Sequence, residues 1–243
     1  MADTPLSFAA LLDRHDIWRG DSLNRAGTPT VSCGFPELDA ELPGGGWPVG
    51  ALTEILPAHE GIGELRLLGP ALAGLSKRGL QLAWIAPPHL PYAPALAAAG
   101  IDVAKLLIVR TASTRETLWA AEQVLASNAC GAVLAWLLKE NCAARYAELR
   151  RLQISAEGGQ APVFMFRPPE IARESSPAAL RIGLAASNGG LAVRVLKRRG
   201  VPLAHPILLP AMPPSVRSKN HHVDRHSAAA AAARDFPARL IHA

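Results

Sequence analysis

Residues 31–68 read VSCGFPELDAELPGGGWPVGALTEILPAHEGIGELRLL. Within them Leu52–Leu56 (LTEIL) is a short apolar run of the kind that forms a strand buried on both faces. A helical stretch follows over Gly63–Lys77. Strand, short loop and helix in succession are the repeating unit of a parallel sheet covered by helices. Upstream, Gly44-Gly45-Gly46 marks a turn, and Trp47 beside it is expected at the surface.

The same alternation continues down the chain. Leu80–Ala86 (LQLAWIA), Leu106–Val109 (LLIV), Ala132–Leu138 (AVLAWLL) and Val163–Phe166 (VFMF) are further strand candidates. Ser113–Ala126 reads as a helix, because Ser113 and Glu116 have capping-box spacing and Leu118, Ala121 and Leu125 repeat at helical intervals. Residues 139–156 form a third helix, with Tyr146, Leu149, Leu152 and Ala156 on one stripe. Leu180–Ala185 and Leu191–Leu196 then flank Ser187-Asn188-Gly189-Gly190, which supplies the positive φ angles of a tight hairpin. The expectation is an α/β sandwich with a mostly parallel sheet, closed by a C-terminal antiparallel hairpin. Three segments follow: 1–30, an N-terminal helix capped by Thr4-Pro5 and a linker; 31–205, the core; and 206–243, a basic, Pro/Ala/His-rich tail.

Gly34, Leu38-Asp39, Leu42, the triple glycine, Gly50 and Glu54-Ile55 stand in the order and spacing of the opening segment of the RecA-type recombinase core, which this stretch resembles. The resemblance implies a RecA-like three-layer sandwich. It also implies a phosphate loop, Gly-x4-Gly-Lys-Ser/Thr, directly after the strand. In that loop backbone N–H groups wrap the phosphates, Lys reaches the terminal ones and a hydroxyl holds Mg²⁺. Here the residues are Pro57, Ala58, His59, Glu60, Gly61, Ile62, Gly63, Glu64 and Leu65. With Gly63 as the last loop glycine, Glu64 stands at the Lys position and Leu65 at the hydroxyl. Sliding by one puts Gly63 and Glu64 there instead. Neither register supplies the cation or the metal ligand. Glu60 or Glu64 at about 4 Å from a phosphate would cost roughly 1–4 kcal/mol each.

The other nucleotide elements of that family are missing too. Trp136 falls where an acid should end the metal-binding strand, and Ile85-Ala86-Pro87-Pro88 lacks the Glu that would activate water. The expectation is a decayed nucleotide site with no catalytic residue, no cofactor and no metal. Backbone donors at the helix start keep weak nucleotide binding open.

LLGPALAGLSKRGLQLAWIAPP, ETLWAAEQVLAS, CGAVLAWL and VFMFRP, within residues 65–182, resemble the SulA-type cell-division inhibitors. A recombinase-like opening, a dead phosphate loop and a SulA-like middle together resemble the ImuA-type accessory proteins of SOS-induced translesion DNA synthesis. That resemblance implies a non-catalytic protein that helps assemble a mutagenic polymerase complex. Its implied partners are an ImuB-type polymerase-like protein, RecA and, indirectly, an error-prone replicative-type polymerase. The alternative is a SulA-type inhibitor that sequesters the division GTPase.

The middle segment supports that alternative, while the recombinase-like opening at 31–56, the greater length and the basic tail oppose it. The chain has 243 residues, 49% hydrophobic and 19% charged, with 25 Lys+Arg against 20 Asp+Glu, which excludes a wholly disordered or collagen-like chain. No apolar run reaches the ~18–20 residues of a membrane span. Three cysteines, Cys33, Cys130 and Cys142, without metal spacing suit a reduced, cytoplasmic setting and inert core or turn roles. Arg194, Lys197, Arg198 and Arg199 form the densest basic cluster and are the candidate contacts for DNA or an acidic partner, against a solvated strand end. Trp84, Trp119 and Trp136 are expected in the core. His221, His222 and His226 lack neighbouring acids or thiols and are not read as a metal site. Leu6–Ile17 and Trp18 are candidates for docking on a neighbour.

Overall fold

Each apolar run becomes a strand, buried on both faces in the middle of the sheet and only half-buried at the Leu106–Val109 edge, and the helices between them are laid on the sheet by the shortness of the loops. A computed structural model describes residues 29–137 and 144–210. The elements are β1 (Thr30–Val31), α1 (Pro36–Asp39), β2 (Trp47–Pro48), β3 (Leu52–Pro57), α2 (Glu64–Lys77), β4 (Gln81–Ile85), α3 (Ala93–Ala98), β5 (Leu106–Val109), α4 (Thr114–Ser127), β6 (Cys130–Trp136), α5 (Tyr146–Ala156), β7 (Val163–Phe166), β8 (Leu180–Ser187), β9 (Gly190–Lys197) and β10 (Ile207–Pro210). The main sheet has eight strands in the order β10-β9-β8-β3-β7-β6-β4-β5. β3 pairs parallel with β7 and β8, β6 with β4 and β7, and β4 with β5. β9 runs antiparallel between β8 and β10.

Period-two alternation splits the strand side chains between two cores. Leu82, Trp84, Leu134, Trp136, Phe164 and Phe166 face one core with α2 and α3. Val133, Ala135, Val163 and Met165 face the other with α4 and α5. The molecule is thus α/β, with a mostly parallel sheet covered by helices on both faces.

The expected elements appear with small shifts. Ser113 caps α4 by accepting from the Glu116 N–H at 3.2 Å, while the Glu116 carboxylate reaches back to the Ala112 N–H at 2.7 Å, one residue before the cap. The hairpin turn has one positive φ, at Gly189, rather than several. Gly190 is needed for a different reason: a Cβ there would overlap the Leu209 carbonyl oxygen of β10.

Other expectations need correcting. The hairpin does not end the sheet, because β10 adds a strand inside the segment assigned to the tail. Of the 139–156 helix, α5 is described from Tyr146; Leu149, Leu152 and Ala156 are buried, but Tyr146 is 53% exposed and leaves the stripe. Trp119 points away from the core on α4, 56% exposed, because Leu118 and Ala121 already fill the buried face. Trp47 is fully buried rather than exposed, edge-on to Phe164 at 5.4 Å. The N-terminal helix, the Leu6–Trp18 docking segment, Cys142, the three tail histidines and the tail after 210 lie outside the described residues. No helix among the described residues is long and apolar enough to cross a membrane.

Candidate functional site

The segment compared with a phosphate loop has the topology of one. β3 ends at Pro57, Ala58–Gly63 form the loop, and α2 starts at Glu64. The Ala58 N–H donates to the Leu184 carbonyl at 2.8 Å and pins the loop to β8. Gly63 precedes the helix with φ 111°, a left-handed value that glycine adopts without strain. Ile62 and Leu65 pack against the α2-side core, so the residue at the hydroxyl position is part of the apolar packing.

What fills the cradle is the chain's own carboxylate. Glu64 Oε1 accepts from the Gly61 N–H and Oε2 from the Gly63 N–H, both at 3.1 Å. A carboxylate is acceptor-only, and at a helix N-terminus it also opposes the positive end of the dipole. The two loop amides that would wrap a phosphate therefore already hold an internal anion. Glu60 projects outward and lies 3.7 Å from His89, both well exposed.

The position compared with a metal-binding acid is equally committed. Trp136 is buried, stacks on Phe166 with ring centres 4.7 Å apart and 9° between planes, and tilts against Trp84 at 5.6 Å. A buried aromatic ladder stands where a hydrated cation would be needed. At the end of β4, Ala86 adopts a left-handed φ of 55° while its N–H bonds Val109, and no carboxylate follows before Pro87-Pro88.

One charged constellation escaped the sequence reading. Glu54 on β3 is fully buried and receives two guanidinium groups: Arg167 Nη1 to Oε1 at 3.0 Å and Arg181 Nε to Oε2 at 2.6 Å. Arg181 also donates to the carbonyls of Ile171 (2.9 Å), Ala172 (3.3 Å) and Glu174 (2.8 Å), fastening the turn Pro169–Arg173 over β8. Arg167 Nη2 reaches the Ala144 carbonyl at 3.4 Å, and its Nε is buried without a partner. Register makes the cluster: Glu54 and Arg181 are direct cross-strand partners, and the Arg167 N–H bonds the Ile55 carbonyl. The available signal was a lone charge in or beside an apolar strand run at each of three places.

The basic cluster does not form one open patch. Arg198 is turned inward, with Nη1 on the carbonyl and Oε2 (3.1 Å) of Glu41 and Nε on the Val201 carbonyl at 2.8 Å. Lys197 donates to the Ser176 carbonyl at 2.8 Å, and desolvation, then the nearby Arg181 charge, lower its amine pKa. Arg194 and Arg199 are exposed. Cys33 is buried, and desolvation and Asp39 beside it push its thiol far above the ordinary range, so it is unreactive. Among the described residues no group of three His, Cys, Asp or Glu could hold a metal ion.

Fold and site together describe an α/β protein whose strand-loop-helix cradle is occupied from within. No family model matches the chain. It is similar to Protein ImuA of Caulobacter vibrioides, from strains NA1000 / CB15N and ATCC 19089, at 32% identity over 151 residues, which is 59% of this chain and 60% of each relative. It is also similar to the cell division inhibitor SulA of Edwardsiella piscicida, at 33% identity over 104 residues, 43% of this chain and 60% of that protein. The chain therefore spans about 60% of the length of the curated relatives it matches. The chain is thus similar to ImuA and SulA proteins over part of its length.

Proposed function

We infer that the chain is a RecA-like accessory protein of SOS-associated mutagenesis that acts without catalysis, by protein contacts that assemble or regulate a translesion polymerase complex. The observation that carries this reading is the Glu64 carboxylate on the two loop amides. An ATPase needs those donors free, a Lys beside them and an acid on the neighbouring strand. Here Trp136 holds the acid's position within an aromatic stack. The similarity to ImuA supplies the biological setting. The partners on this reading are an ImuB-type polymerase-like protein and RecA, with an error-prone replicative-type polymerase recruited indirectly, in the cytoplasm. On this reading Arg194 and Arg199 meet DNA or an acidic partner surface, while Lys197 and Arg198 act mainly by holding the strand end.

Two measurements test it. Titration with Mg-ATP is expected to show no micromolar binding and no turnover, and Glu64→Lys is expected not to restore either, because Leu65 and Trp136 still deny the metal its ligands. Co-purification with the ImuB-type protein and RecA is expected, and its absence for the full chain would sink the reading. The similarity to SulA favours one second reading, an inhibitor of the division GTPase. Dose-dependent arrest of that GTPase's polymerisation, without binding to polymerase components, would replace the first reading with the second.

A further inference from the structure

The backbone of β5 is hydrogen-bonded on one side only. The strand stands at the end of the sheet and pairs in parallel with β4. The Val109 carbonyl accepts from the Ala86 N–H at 2.8 Å, so Val109, and Leu107 two residues before it, turn their backbone groups toward β4. Period two then turns those of Ile108 outward. The N–H and C=O of Ile108 meet no partner among the described residues. The Leu106 N–H, by contrast, is taken by the Val103 carbonyl.

Free backbone groups on an edge are a template for another strand, and edges are commonly blunted by a proline, a bulge or a charge in mid-strand. β5 carries none of these. Leu106-Leu107-Ile108-Val109 is wholly apolar and its register with β4 is regular. Leu107 is 39% exposed. The link from β4 to β5 leaves beside Val109, contains no Asp, Glu, Lys or Arg over residues 86–100, and exposes Leu90 and Tyr92.

Charge stands at the two ends of the strand instead. Lys105 precedes it and Arg110 follows it, about 16 Å apart along an extended chain. Neither has an anionic partner among the described residues. Over residues 86–115 Asp102 is the one acid, against Lys105, Arg110 and Arg115, and its carboxylate is engaged by the Ala104 N–H at 3.0 Å. These cations choose between occupants. Antiparallel pairing of β5 with a second copy of itself about Ile108 would bring two Lys105 and two Arg110 to one seam with no acid opposite them. An extended segment with acids at the ends of an apolar run meets cation, free backbone and apolar side chains in the order the edge presents them.

We propose that β5 is a strand-addition site for a partner protein, taking an extended segment of about four apolar residues between acidic ones through main-chain bonds to Ile108. The proposal goes beyond the adaptor reading and does not depend on the partners named there. Selection of short random peptides displayed on phage against the full chain tests it, with the selected peptides then synthesised and titrated. They are expected to share an apolar run flanked by Asp or Glu and, at saturation, to slow amide exchange of Ile108 at least about tenfold by NMR. Methylation of backbone nitrogens within the apolar run is expected to weaken binding at least about tenfold. Lys105→Glu with Arg110→Glu, both outside the core, is expected to weaken binding of the acid-flanked peptides to a similar extent, and Lys-flanked versions of the same peptides are expected to prefer that variant. Failure to select any peptide overturns the proposal. So do selected peptides without acidic flanks, binding that leaves Ile108 exchange unchanged, and binding indifferent to backbone methylation. Protection of Ile108 without peptide that rises with protein concentration assigns the edge to a second copy and overturns it as well.

Discussion

Two glutamates, ten residues apart on either side of one strand end, do opposite kinds of work. Glu54 is fully buried and neutralised by Arg167 and Arg181. Glu64 sits at the rim of the sheet and is satisfied by two backbone N–H groups. The first is held by charges that water cannot replace, so its partners become obligatory. The second is held by donors that water or another anion could satisfy, so its loss is cheap for the fold and decisive only for what may enter the loop. Burial, rather than residue type, decides which carboxylate is structural.

The comparison can be broken at its strong end first. Trp136→Asp, which puts an acid into the aromatic stack, is expected to cost at least about 3–5 kcal/mol, because it removes a buried aromatic and inserts a carboxylate among apolar groups. Urea unfolding measures it, and a stable variant with Mg-dependent ATP binding would contradict the account of the rim. Next, Glu54→Gln leaves two buried guanidinium groups without their anion and is expected to cost about 3–5 kcal/mol. Replacing all three residues of the cluster with apolar ones of similar volume is expected to recover most of that loss. A Glu54→Gln variant that unfolds at the same urea concentration as the unaltered chain would dissolve the contrast between the two glutamates.

At the weak end, Glu64→Ala is expected to cost about 1 kcal/mol or less, read from the same unfolding curves, and to allow millimolar phosphate to protect the Gly61 and Gly63 amides from exchange. The smallest effect is expected at α5. Glu148 accepts from the Arg145 backbone N–H at 2.8 Å, and this bond, ahead of the Arg145 guanidinium, holds its carboxyl below the usual 4.5. A carboxyl lowered in the folded state contributes stability that is complete above its unfolded value and is lost as pH falls through the folded one. Glu148→Gln is therefore expected to reduce stability by about 0.3–1 kcal/mol at pH 7 and to narrow toward no difference well below pH 4, measured as Tm against pH.

Much of the architecture was legible in local pattern. Leu106–Val109 and Val163–Phe166 form strands with the expected bounds, and the helix starts at Gly63 and Ser113 are where glycine and a capping hydroxyl place them. The two-residue strands β1 and β2 and the edge strand β10 were not legible, because pieces of two to four residues carry no period. Trp47 and Trp119 were misplaced for a related reason. Composition ranks tryptophan as buried and a Gly-Pro turn as exposed, but the small sheet β1–β2 carries Trp47 onto Phe164, while the phase of α4 turns Trp119 outward. At the candidate site, the absent Lys and hydroxyl were visible as missing letters. The carboxylate that takes over their donors was visible only as an unfavourable charge.

Alternation of apolar runs with helical stretches, and the residues missing from the loop, follow from spacing and side-chain chemistry along the chain, which are local properties. The Glu54–Arg167–Arg181 cluster joins residues 113 and 127 positions apart, and the Arg198–Glu41 clamp joins residues 157 apart. The buried cluster exists because strand register brings its three segments within about 3 Å and excludes water from them. No linear pattern encodes that exclusion, and it is what turns scattered charges into the fastening of the fold.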